Sequence, residues 1–379
     1  MAETHPPGQS LVDQAVSSLR TLLGESWTVT ELPKAAAQAT VAFDATLQID
    51  PPGHGPFTEL VVTVKQSLTP RAVERAIGPI RNVLAHTRNP PTMLVVAPWI
   101  SPRTQAELRD RGIGYLDLTG NVSLAVDYPA IRILTHGASH APRGLVQNSS
   151  KTVTLAGPRS GRVVRFLADY SPPYQATEIA EEAQVSLPWV SQILGQLEDQ
   201  LLIERHGRSI LEVNWEGILR ARAETYDLLR HNPYVGAIAP FGIPAALEKL
   251  RALVAEAAGD TDVAVTGPYA ARAIAPLTEG GQLMLYVPAG PHNVDEWIDR
   301  LELLRADEGA DVLLLRAHDK VVFRGTRAIS GIPHVAQTQL VLDGLSGPGR
   351  MPAEAEAVLR HMRQNPESWR PPWRDRTGH

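Results

Sequence analysis

Apolar residues recur every three to four positions in Leu11–Leu23, so Leu11, Val12, Ala15, Val16, Leu19, Leu22 and Leu23 line one side of a helix. The pattern then shortens to the runs and alternations of strands at 39–43, 45–49 and 60–64, with proline- and glycine-rich loop chemistry from Pro51 to Pro56. A helix is predicted over Pro70–His86, kinked at Pro79, followed by a strand over Thr92–Ala97. Ser101 and Pro102 make the N-cap and first position of a helix reaching Arg109. Gly114–Leu118 and Val122–Val126 flank Thr119, Gly120 and Asn121 as a hairpin in which Gly120 and Asn121 supply positive φ, leaving the charge of Asp117 unexplained. Strands alternating with helices predict an α/β sheet domain over residues 1–135.

From Gly161 to Val213 the pattern changes to three helices and a hairpin. Val163, Val164, Phe166 and Leu167 make one apolar face, and Ser171-Pro172-Pro173 ends that helix. Thr177–Ala183 carries Ile179, Ala180 and Ala183 inward; Gln184-Val185 is a turn. Ser186 then caps a third helix, with Pro188 in its first turn, that buries Val190, Ile193, Leu194 and Leu197. Two alternating segments, Leu201–Arg205 and Ser209–Val213, surround the turn His206-Gly207-Arg208. This order predicts a winged helix-turn-helix over residues 161–215. The outward face of its third helix offers Ser186, Trp189, Ser191, Gln192 and Gln196 to base edges, and the wing offers Arg205 and Arg208 to phosphate.

Residues 216–364 again alternate. Helices are predicted over Trp215–His231, with Arg220 and Arg222 exposed, and over Ile243–Ala258, Tyr269–Ala275, Val294–Arg305, Gln337–Asp343 and Pro352–Gln364. Strands are predicted at Asp262–Thr266, Leu283–Val287, Asp311–Leu315 and Val321–Phe323. The tail from Asn365 to His379 reads as irregular.

The whole is α/β (α+β mixed) with three expected domains: 1–135, 161–215 and 216–364, joined by a basic linker over 136–160. Charge sharpens the DNA expectation. The chain of 379 residues has net charge -5, so nucleic-acid contact must come from a local patch. From Tyr128 to Ala168 there is no Asp or Glu, whereas Arg132, Arg143, Lys151, Arg159, Arg162 and Arg165 fall in that span. Lys151, Arg159, Arg162 and Arg165 are therefore expected to grip phosphate, the main source of sequence-independent affinity. The third helix itself has no Lys or Arg. There are no cysteines, which excludes disulfides and thiolate chemistry. No apolar run reaches the length of a membrane span, and the start is no signal peptide; a cytoplasmic protein is expected.

Three resemblances add to this reading. Asp44 at a strand start and Lys65 at the end of the next strand, followed by a helix, resemble the restriction-endonuclease-like core, in which two acids hold a divalent metal and a lysine positions water. Here Thr63 occupies the place of the second acid, and a hydroxyl cannot replace a carboxylate for a hard cation. Thr266-Gly267-Pro268 between a strand and a helix resembles the nucleotidyltransferase core, yet Leu283–Val287 lacks the acid pair that binds magnesium. The order of parts resembles actinobacterial regulators related to AbiEi-type antitoxins, which pair a winged helix with a C-terminal domain and repress their own promoters; the N-terminal domain is additional.

The winged helix-turn-helix and the acid-free basic segment, with the last resemblance beside them, predict a non-catalytic, sequence-specific double-stranded DNA-binding transcription regulator, acting as a homodimer, with no cofactor and no metal. Two alternatives follow: a metal-dependent DNA nuclease using Asp44 and Lys65, and an antitoxin-like scaffold that binds a toxin or other protein.

Overall fold

The computed structural model describes residues 7–33, 43–53, 55–84, 90–142, 155–257, 262–277, 280–290 and 293–373. The chain divides into two compact units: Met1–Thr152 with Glu198–Leu201, and Val153–Leu197 with Leu202–His379. Both are mixed α/β, as the alternating pattern predicts.

In the first unit, α1 (Pro7–Leu23) precedes β1 (Thr28–Leu32), β2 (Ala45–Asp50) and β3 (Thr58–Val64). Then come α2 (Pro70–Leu84), β4 (Thr92–Ala97), α3 (Pro102–Asp110), β5 (Gly114–Asp117), β6 (Val122–Val126) and β7 (Ile131–Thr135). The seven strands lie side by side in sequence order. They run antiparallel from β1 to β3, parallel from β3 to β5, and antiparallel again to β7.

The two-residue strand period sorts the central side chains onto two faces. Leu60, Val62, Leu94 and Val96 pack under Val12, Ala15 and Leu19 of α1. Val61, Met93, Val95 and Tyr115 pack under Val73, Ile77 and Ile80 of α2 and Leu108 of α3. Parallel strands buried on both faces need a near-continuous apolar sequence, which β3 and β4 have. Strand β1 is an element the sequence pattern did not predict, and the expected strand over 39–43 falls largely outside the described residues.

The second unit opens with α4 (Pro158–Asp169), β8 (Tyr174–Gln175), α5 (Ala176–Ala183), α6 (Leu187–Asp199), β9 (Ile203–His206) and β10 (Ser209–Val213). The three strands pair in the order β8-β10-β9. It continues with α7 (Trp215–Ala223), α8 (Leu228–His231), β11 (Tyr234–Ile238), α9 (Ile243–Glu256), β12 (Ala264–Thr266) and α10 (Gly267–Ile274). It ends with β13 (Leu283–Val287), α11 (Asn293–Arg300), β14 (Leu304–Arg305), β15 (Val312–Arg316), β16 (Arg327–Ile329), β17 (Ile332–His334), α12 (Gln337–Leu345) and α13 (Met351–Gln364). A second seven-stranded sheet has the order β14-β11-β15-β13-β12-β17-β16.

Four expectations are corrected here. The winged-helix segment and residues 216–364 share one continuous core, from Val163 to Trp373, so the boundary placed at 215/216 divides no core. The helix expected over Trp215–His231 is two helices, broken between Ala223 and Leu228. Val321–Phe323 lies in a single 3₁₀ turn, Lys320–Phe323, which the Asp319 carboxylate caps by accepting from the Val321 amide.

The tail is the fourth. Residues 366–373 are strapped to the end of α4, where Arg370 donates to the carbonyls of Leu167 and Ala168 and so satisfies orphan acceptors of the helix C-terminus. Trp373 packs its ring on Phe166 and Tyr170 and donates its indole N–H to Glu178.

Candidate nucleic-acid interface

The turn between α5 and α6 is built by Gln184, whose left-handed backbone (φ 52) ends α5 with its amide donating to Ala180 and Glu181. Ser186 is exposed just before α6, and its carbonyl accepts the first helical bond from Val190. Inward, α6 buries Val190, Ile193, Leu194 and Leu197 as its period predicts. Outward, Pro188, Ser191 and Gln192 are exposed, and beside them a Cβ placed on Gly195 would meet nothing. The result is a helix face without charge through its first two turns, ending at the exposed Asp199, with two side chains able to hydrogen-bond base edges. At the wing, His206 and Arg208 are exposed around Gly207, which sits at φ 61; Arg159 is exposed in the first turn of α4. Arg205 and Gln196 are half-buried and already engaged with other groups.

Four sequence expectations change at this point. Trp189 packs against the core with its indole N–H closed off and unpartnered, so it faces the protein rather than outward. Arg162 grips Asp319, its Nε lying 3.2 and 3.0 Å from the two carboxylate oxygens and an Nη 2.9 Å from one of them. Arg165 is 2% exposed and donates to Asp169, to the carbonyls of Val321 and Arg324, and to Gln339 Oε1 at 2.8 Å. A guanidinium with five donors so distributed has none left for phosphate. Arg220 pairs with Glu216 and Glu356, and Arg222 is buried, so α7 adds no basic surface. Lys151 and Arg143 lie outside the described residues.

The arginines expected to hold DNA instead build the junction between α4 and the large sheet, and that junction centres on α12. Every residue from Gln337 to Gly344 is buried, yet four of these eight are polar, and three of the four are tied into hydrogen bonds with other elements. Thr338 donates to Asp169, and Gln339 accepts from Arg165 while its amide donates to Asp343. Asp343 also accepts from Thr266 at 2.6 Å, Tyr286 at 2.9 Å and Tyr226 at 3.1 Å. Burial raises the Asp343 carboxyl to about 6, although these four donors pull the other way. Burial and the nearby carboxylate push both tyrosines up, which keeps them neutral as donors. Asn232 extends the network, donating to Tyr226 and accepting from the His318 amide and ring. His318 is lowered to about 4, first by burial and then by the Arg222 charge.

Arg222 lies 5.3 Å over the Tyr226 ring and close against Gly161, where a Cβ would come within 3.1 Å of its Nη2. One of its amino groups is buried without a partner, and burial lowers its pKa to about 10. None of this network was anticipated. Its available signal was Gln339 and Asp343 spaced four apart, on either side of the apolar run Leu340–Leu342.

In the first unit, Asp44 and Lys65 come to neighbouring strand ends. The Asp44 amide donates to Val62, and its carboxylate accepts from the Val64 amide at 2.6 Å. Thr63 is buried with its hydroxyl unpartnered. A hydroxyl cannot stand in for the second carboxylate, so Asp44, Thr63 and Lys65 do not fit a two-acid nuclease centre.

Asp117, 2% exposed, accepts from the Ile100 amide, the Thr119 amide and hydroxyl, and the Asn121 amide and side chain. Its charge is thereby explained as the anchor of the β5–β6 turn, in which only Gly120 takes positive φ (97). In the second unit, Gly267 does supply positive φ (66), but the preceding Thr266 hydroxyl is committed to Asp343, and Leu283–Val287 is wholly buried.

No helix among the described residues is long and apolar enough to cross a membrane. No family model matches the chain, and no curated protein or solved structure matches it either.

Proposed function

We propose that the protein is a non-catalytic, sequence-specific double-stranded DNA-binding transcription regulator that works as a homodimer. The observation that carries this reading is the exposed face of α6 beside the wing, polar and without charge from Pro188 to Gly195. Ser191 and Gln192 read base edges, with Gln192 able to pair bidentately with adenine. Arg208 and Arg159 contact phosphate. The exposed Tyr234, Ile238 and Leu304 on the β11–β14 edge supply an apolar surface for the second copy.

A second reading is favoured by charge. Between Pro158 and Val213 five arginines stand against eight carboxylates, two of those arginines are sequestered, and Leu187 and Leu211 are exposed. Such a surface also suits an antitoxin-like scaffold that binds a protein. The test is binding of the full chain to the duplex upstream of its own gene against a scrambled duplex of equal length, with magnesium present. Preference for the upstream duplex, recovered intact, is expected. Equal or absent binding would move the assignment to the scaffold, and cut DNA would contradict the non-catalytic role.

A further inference from the structure

A cavity of about 290 Å³ opens in the second unit between α10, the β16–β17 hairpin, the first turn of α12 and α13. Ala270, Ile274 and Ile329 supply its aliphatic wall, and its polar groups are Gln337, His334, the half-buried His361 of α13 and, exposed at the rim, Arg327. That composition, apolar walls with a small number of convergent polar groups, is what small-molecule sites share.

The chemistry of those groups is directional. The His334 Nδ1 lies 2.8 Å from the Ile332 carbonyl and must donate to it, so in the neutral ring Nε2 is left as an acceptor. Burial lowers the His334 pKa and favours that neutral form. Gln337 is 5% exposed, and its Oε1 is closed off with no hydrogen-bond partner, a costly arrangement for a buried acceptor. Its terminal torsion is soft, so the amide can turn toward a donor that enters the cavity. The His334 Nε2 acceptor, the Gln337 amide once it turns, a cation at the rim and an aliphatic wall between them describe the complement of one kind of molecule.

We infer that this cavity binds a free aliphatic α-amino acid, its carboxylate on Arg327, its ammonium group on Gln337 and His334, and its side chain against α10. Occupancy is felt at the winged helix. Gln337 begins α12, and the next two residues, Thr338 and Gln339, are those that hold Asp169 and Arg165 of α4. Fixing Gln337 therefore stiffens the hydrogen bonds that orient α4. The regulatory meaning of this link rests on the DNA-binding reading above; the binding itself does not.

The experiment needs no DNA. Thermal unfolding and hydrogen exchange of the full chain are measured with L-leucine, L-isoleucine or L-valine, each at about 10 mM, and a bound amino acid should raise the melting temperature by roughly 2–4 °C. The matched α-keto acid, which lacks the donor, and isoamylamine, which lacks the carboxylate, should not. Gln337→Leu and Arg327→Ala should each abolish the shift; the latter removes only an exposed side chain, so misfolding cannot account for its loss. Exchange of the α4 amides should slow when the amino acid binds. No shift with any of the three amino acids, or an undiminished shift in Arg327→Ala, would overturn the site. A shift with unchanged exchange in α4 would overturn the transmission. Binding by a chain that ignores DNA would leave the site standing and remove the regulatory reading alone.

Discussion

Asp117 and Asp343 are both buried carboxylates that accept several hydrogen bonds, and the origin of their donors separates them. Asp117 is served by residues within a short stretch of chain, Ile100 at the far end and Thr119 and Asn121 beside it. Asp343 is served by Tyr226 from the break between α7 and α8, Thr266 from β12 and Tyr286 from β13, and only Gln339 is local. The first carboxylate organises a turn. The second ties α12 to the sheet and, through Gln339 and Arg165, to α4. A carboxylate satisfied locally stabilises the loop it sits in, whereas one satisfied at long range couples whole elements.

Replacing the two residues should expose that difference. Asp343→Ala removes the shared acceptor of four buried donors, of which only one tyrosine hydroxyl can turn to the other, and a loss of about 3–5 kcal/mol is expected from urea unfolding of the second unit. Asp117→Ala should cost about 2–3 kcal/mol, with faster hydrogen exchange confined to residues 98–101 and 117–122. Exchange rising across the entire first sheet in Asp117→Ala would erase the distinction.

Arg165 sharpens the same comparison, because it carries the Asp343 network into the winged helix. Arg165→Met keeps the stem but strands the Gln339 side-chain oxygen and two carbonyls and leaves Asp169 with Thr338 alone, and should lower stability by about 2–4 kcal/mol. Full stability with weaker DNA binding would instead restore the phosphate role that the sequence suggested.

The pH dependence is a smaller effect with a defined sign. His318 falls from 6.5 to about 4 in the fold, and His334 is shifted the same way. The folded state then binds fewer protons than the unfolded chain, so their contribution is full above pH 6.5 and is lost as the pH falls toward 4. Asp343 opposes this: raised from 3.8 to about 6, it costs stability as the pH rises through that interval. Stability measured between pH 7 and pH 5 should fall less in His318→Asn than in the parent chain. An identical fall in both would mean that His318 is not neutral in the fold.

What the sequence could disclose follows from the same contrast. The α6 face was legible because a helical period is local: Val190, Ile193, Leu194 and Leu197 point in, so Ser191 and Gln192 point out. The β3 and β4 strands were legible as continuous apolar runs. Arg162 and Arg165 misled because a run of sequence without acids says nothing about acids far along the chain, and Asp319 supplies the counter-charge. Trp189 misled because the large indole covers core surface from a position at the edge of the outward face. The short strands β14, β16 and β17 have too few residues to show a period, and pairing in the sheet defines them.

The central claim is that α6 and the wing meet DNA with few cations. It is tested most directly by a salt titration of binding to the upstream duplex, comparing the parent chain with Arg208→Ala. With Arg159 and Arg208 on phosphate, the slope of log affinity against log salt should be shallow, roughly -2 per protomer, and Arg208→Ala should reduce it by about 1. A slope unchanged in Arg208→Ala, or no salt-sensitive binding at all, would contradict the account.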